Sequence, residues 1–105
     1  MKLGLIISQT EPETVWNAYR LGTFALERGD SVKTFLLGRG VESEAEHSKF
    51  NVREQIDKYM KAGGEIYACG SCMKTRKMDS RDTCPLSTMK DLYDIVNKSD
   101  KILTF

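Results

Sequence analysis

Cys69 and Cys72, in Ala68-Cys69-Gly70-Ser71-Cys72, and Cys84, in Thr83-Cys84-Pro85, are the three cysteines of the chain, and the first 68 residues contain none. A thiol attacks or binds metal only as its thiolate, so it needs a second sulfur, a metal or a positive field nearby. Clustering supplies the second sulfur. Cys69, Cys72 and Cys84 are therefore the candidate catalytic residues.

A C-x-x-C pair serves redox couples, zinc sites and sulfur carriers alike, so its context must separate them. Lys74, Arg76, Lys77 and Arg81 follow Cys69 and outnumber Asp79 and Asp82, a local excess that favours a thiolate. A thioredoxin-like oxidoreductase would carry an aromatic residue before the first cysteine and a proline in a later turn. Here Ala68 precedes Cys69, and Pro85 directly follows another cysteine. Dithiol/disulfide oxidoreduction is the second choice. A Cys₃His zinc set of Cys69, Cys72, Cys84 and His47 lacks the two closely spaced ligand pairs of structural zinc sites, and His47 stands alone in a polar stretch. No metal and no cofactor is expected. Cys84 before Pro85 is either a thiol at a helix start or a turn cysteine with no catalytic task.

The elements that must hold these thiols follow from the apolar pattern. Residues 3–7 are an almost wholly apolar run, as in a strand covered on both faces. Glu11-Pro12-Glu13 starts a helix whose buried face is Val15, Ala18, Tyr19, Gly22, Ala25 and Leu26, and Arg28-Gly29-Asp30 ends it. Residues 32–37 form a second strand closed by Gly38-Arg39-Gly40, and the stretch 41–46 reads as a solvated acidic connection. Asn51, with Glu54 three residues on, caps a second helix that buries Val52, Ile56, Tyr59 and Met60, with Glu54/Lys58 and Asp57/Lys61 as i,i+4 pairs.

Residues 65–68 form a third strand, which places Cys69 at a strand's carboxyl end, where open parallel sheets carry their chemistry. A short helix is expected over 70–78 and a loop over 79–84. Ser87 then caps a last helix with the apolar face Met89, Leu92, Tyr93 and Val96, and residues 101–105 form a final strand. Alternating strands and helices predict an α/β fold, a three-layer α/β/α sandwich on a mainly parallel sheet of four to five strands. The order of the strands does not follow from the pattern.

With 105 residues, 40% hydrophobic and 30% charged, the chain reads as a single domain over residues 1–105, small enough for self-association to help it. A net charge of +1 gives no drive toward nucleic acid or anionic lipid. No apolar run approaches the roughly 20 residues of a membrane helix, and residues 2–8 are too short for a secretory signal, so a cytoplasmic protein is expected. Gly38 and Gly40 lack the spacing and the Lys-Ser/Thr of a phosphate-binding loop. The five methionines read as packing residues. Trp16, Arg20 and Phe24 lie off the buried face of the first helix, as a subunit contact or a half-buried stripe.

Taken together, Lys2-Leu3-Gly4-Leu5-Ile6-Ile7, Pro12-Glu13-Thr14-Val15-Trp16-Asn17-Ala18, Val32-Lys33-Thr34-Phe35-Leu36-Leu37-Gly38, Ala68-Cys69-Gly70 and Ser99-Asp100-Lys101-Ile102-Leu103-Thr104-Phe105 resemble the DsrE/DsrF-like family of small sulfur-relay proteins. The resemblance spans nearly the whole chain. It implies an α/β/α domain that often forms homotrimers or hexamers, with a cysteine matching Cys69 that carries sulfur as a persulfide between donor and acceptor proteins. Cys72, Cys84 and the Cys84-Pro85-Leu86-Ser87 turn look like those of an uncharacterised subgroup of small members. On this reading the protein is a sulfurtransferase or persulfide carrier, with Cys72 or Cys84 as resolving thiol. The alternative is an oligomeric redox-sensing or binding domain.

Overall fold

The N-terminal apolar run becomes the inner strand that the rest of the molecule is built around, in a computed structural model that describes residues 1–43, 49–78 and 86–105. Strand β1 (Lys2–Ile7) pairs with β2 (Ser31–Leu36) on one side and β5 (Lys101–Thr104) on the other. Next to β2 lies β3 (Glu65–Cys69), and β4 (Leu86–Ser87) forms the outer edge. The order is β4-β3-β2-β1-β5 and every pair is parallel. The chain thus steps outward from β1 to β4, then returns to the far side of β1.

Strand alternation sorts the side chains into two faces. Leu3, Leu5 and Ile7 are in register with Val32, Thr34 and Leu36, and Thr34 and Leu36 with Ile66 and Ala68; all of them are buried. Helices α1 (Pro12–Glu27) and α2 (Val52–Lys61) cover this face. Glu11 caps α1 by accepting from the N–H groups of Glu13 and Thr14, and Asn51 caps α2 by accepting from Glu54 N–H, so both helix starts agree with the sequence. Tyr59 ties this layer to the sheet. Its hydroxyl accepts from Thr34 Oγ1 at 2.9 Å and lies 2.9 Å from the Glu65 carbonyl and 3.2 Å from that of Val32.

Several expectations change at the level of single residues. Val41 is fully buried and Ser43 nearly so, because the expected solvated stretch begins as a 3₁₀ turn (Gly38–Glu42) that packs into the core. Asp57 pairs with Arg53 at 3.7 Å in the i,i+4 geometry, in place of the expected Lys61. The helix after Cys69, α3 (Gly70–Thr75), ends three residues earlier than expected. Ser87 lies in β4, and Thr88 caps the last helix, α4 (Met89–Lys98), with its N–H and hydroxyl on Asp91.

The largest departure concerns the face that α4 buries. Ile95 is its buried residue, while Met89 and Tyr93 are 65% and 64% exposed and Val96 is also exposed. The cause lies in β1. Gly4 leaves space on the second face of the sheet, and a Cβ there would come within 3.1 Å of Ile95 Cγ2. Ile95 fills that space, which fixes the rotation of α4 and turns the Met89, Tyr93, Val96 stripe outward. Helices on both faces make the molecule a three-layer α/β/α sandwich. Among the described residues, no helix is long and apolar enough to cross a membrane.

Candidate functional site

The site forms where β3 ends. Cys69 is both the last residue of β3 and the N-cap of α3, so the switch from extended to helical backbone falls on the thiol itself. One helical turn brings Cys72 back beside it. The two sulfurs lie 2.8 Å apart with the Cys72 thiol donating to Cys69, and both cysteines are free. The Cys69 sulfur also accepts from Cys72 N–H at 3.4 Å and contacts the Ser71 hydroxyl at 3.4 Å.

These neighbours divide the pair into unequal partners. Burial pushes the Cys69 thiol up, but hydrogen bonds from the Cys72 thiol, the Ser71 hydroxyl and the Cys72 and Ser71 N–H groups outweigh it and bring it below its ordinary value. For Cys72, burial and the hydrogen bond it gives to Cys69 hold the thiol above its ordinary value, against the opposing Gly38 N–H. Of the two thiols, Cys69 gives up its proton more readily and Cys72 holds its own more firmly.

Support comes from the end of β2. Gly38 N–H donates to the Cys72 sulfur at 3.2 Å, from a residue with φ of +56°, a backbone region that glycine enters without steric cost. Arg76 fastens α3 to the same turn, with Nε 3.4 Å from Glu42 Oε1 and Nη1 donating to the Cys72 carbonyl at 3.1 Å. The sequence offered Arg76 as part of a positive field around Cys69. Its charge is instead placed on Glu42.

Access is through a pocket. Cys69 is 5% exposed, yet it lines a cavity of about 370 Å³ together with Gly70, Ser71, Lys74, Leu86, Ser87, Thr88 and Met89. Cys69 is thus buried yet borders this cavity, and Cys72 is half-buried. Gly70 brings α3 close to β4, since a Cβ there would lie 3.0 Å from the Ser87 carbonyl oxygen.

Of the three candidate cysteines, the structure brings Cys69 and Cys72 together. Cys84, His47, Asp79, Arg81 and Asp82 lie outside the described residues. Among the described residues, no group of three or more His, Cys, Asp or Glu is placed to hold a metal. Sequence reasoning missed Gly38 and Ser71 as partners of the sulfurs. A glycine directly after a strand neighbouring the cysteine-bearing one was the available signal for the first.

The fold and the cysteine position meet in one class of protein. The chain matches the model of the DsrE/DsrF-like family over residues 1–105, and it belongs to that family. It is 32% identical over 100 residues, covering 89% of this chain and 83% of the relative, to the uncharacterized protein MK0008 of Methanopyrus kandleri. The ychN protein of Escherichia coli shares the fold with a TM-score of 0.81 at 20% identity, over the full length of both chains. So does BT1422 of Bacteroides thetaiotaomicron, a conserved protein of unknown function, with a TM-score of 0.82 at 22% identity over 99% of this chain and 94% of that one.

Proposed function

We propose that the protein is a sulfur relay in which Cys69 accepts sulfur as a persulfide and passes it to the thiol of an acceptor protein. The observation that carries this reading is the 2.8 Å hydrogen bond from the Cys72 thiol to the Cys69 sulfur, in a residue that lines a pocket. The Cys69 thiolate attacks the outer sulfur of a donor persulfide, R–S–SH. The donor's S–S bond breaks, R–S⁻ leaves, and Cys69–S–SH forms with the proton retained on the transferred sulfur. An acceptor thiolate then attacks that outer sulfur and regenerates the Cys69 thiolate.

Cys72 is the resolving group of this scheme. Once it loses its proton to solvent, its thiolate attacks the inner sulfur of Cys69–S–SH, expels HS⁻ and leaves a Cys69–Cys72 disulfide. The sulfurs need only approach from 2.8 Å to the roughly 2.05 Å of a disulfide bond. Cys84 stays a second candidate for the same role. The reading includes a cytoplasmic setting, where thiols are kept reduced, a single domain over residues 1–105, and self-association as a trimer or hexamer through the exposed Met89, Tyr93 and Val96 stripe.

The sulfur separation also favours a second reading, a dithiol/disulfide couple that senses or transfers electrons without carrying sulfur. One experiment separates the two. Reduced protein is incubated with a persulfide donor under anaerobic conditions and examined by intact mass and peptide mapping. In Cys72→Ser, where the adduct is not resolved, the relay gains one sulfur atom on Cys69, and Cys69→Ser gains none; a Cys69–Cys72 disulfide in wild type with no sulfur adduct on Cys69 in Cys72→Ser favours the couple.

A further inference from the structure

Resting on the relay reading, we infer that the donor is a low-molecular-weight persulfide bearing a carboxylate or similar anionic group, selected by Lys74. The burial of Cys69 is the first reason. With Cys69 only 5% exposed, a slender donor reaches it through the pocket more readily than a bulky one. A volume of about 370 Å³ lies within the roughly 300–1,000 Å³ of ligand clefts.

The lining supplies the chemical class. Lys74 is the one charged residue among those that form the pocket, and among the described residues it makes no ion pair. Among the described residues no carboxylate competes with an incoming anion for its ammonium. Arg76, two residues further along the chain, has its guanidinium placed on Glu42. Leu86 and Met89, both exposed, give the pocket an apolar wall for a short carbon chain. A bare inorganic anion leaves that wall uncovered, whereas a thiol-derived persulfide with a terminal carboxylate meets both surfaces.

Charge selection is tested with iodoacetate and iodoacetamide, which alkylate the same thiolate but differ by one negative charge. Rates at Cys69 are read by peptide mapping. Their ratio cancels any change in thiolate population. A unit charge several ångströms away in a water-like medium changes such a rate about threefold, so the iodoacetate/iodoacetamide ratio falls about threefold in Lys74→Gln and about tenfold in Lys74→Glu at low salt. Circular dichroism checks that the exposed substitution leaves the fold intact.

The donor itself is tested with the persulfides of mercaptoacetate and 2-mercaptoethanol, similar in size and different in charge. Cys69 is expected to load faster from the anionic one, and Lys74→Gln to erase the preference. Equal loading from both, indifferent to Lys74, overturns the inference while the relay stands. Loading from a persulfide-bearing protein alone overturns the small-donor assignment and again leaves the relay. No loading from any donor removes the relay, and the donor assignment falls with it, even if the alkylation ratio responds to Lys74.

Discussion

Gly38 and Cys72, 34 positions apart in the chain, meet through a hydrogen bond of 3.2 Å from the glycine N–H to the cysteine sulfur. The end of β2 thereby holds the second thiol of the pair in place, and Cys72 in turn holds the first. The downward shift of the Cys69 thiol comes from hydrogen bonds of this kind, the first of them from Cys72.

Removing the Cys72 donor should weaken the Cys69 thiolate. In wild type, alkylation of Cys69 by iodoacetamide should reach half its limiting rate at a pH below the thiol's ordinary value. In Cys72→Ala, burial acts with one hydrogen bond fewer against it, so the half-point moves upward. A half-point that stays put or falls, read by quenched alkylation and peptide mass, contradicts the assigned roles.

Arg76→Met should loosen α3 from the 3₁₀ turn without touching either sulfur. Its contact with Glu42 is partly exposed, so the stability loss is expected at about 0–1 kcal/mol. The clearer readout is faster hydrogen exchange at the Gly38 and Cys72 amides. Unchanged exchange there, against wild type, shows that Arg76 does not hold the pair.

Tyr59 gives a prediction for the scaffold. Its buried hydroxyl links β2 and β3 to α2, and Tyr59→Phe leaves the Thr34 hydroxyl and the Val32 and Glu65 carbonyls without that partner. A loss of about 1–3 kcal/mol in urea unfolding is expected. An unaffected midpoint would mean that the network contributes nothing net.

The outward stripe of α4 should bring copies of the chain together. Tyr93→Glu combined with Val96→Lys leaves Met89 at the pocket intact and should shift sedimentation from a multimer to a smaller species. Wild-type protein sedimenting as a monomer at tens of micromolar contradicts the self-association proposal.

The sequence revealed the frame of the fold and less of the site's surroundings, for physical reasons. The β1 apolar run, the Glu11 and Asn51 caps and the position of Cys69 after a strand are local signals, carried by neighbouring residues. Strand order, the rotation of α4 over Gly4 and the burial of Val41 depend on contacts between residues distant in the chain. The same holds for Gly38. Its glycine spacing was weighed against a phosphate loop, whereas its role is one N–H aimed at a sulfur. Arg76 shows the converse, a charge legible in sequence whose partner, Glu42, was not.

The most direct measurement is single-turnover sulfur loading followed by peptide mapping, in wild type and in Cys72→Ser. The account predicts a persulfide on Cys69 in both, transient in wild type with release of sulfide and a Cys69–Cys72 disulfide, and persistent in Cys72→Ser. Sulfur found on Cys72, or on neither cysteine, would contradict it.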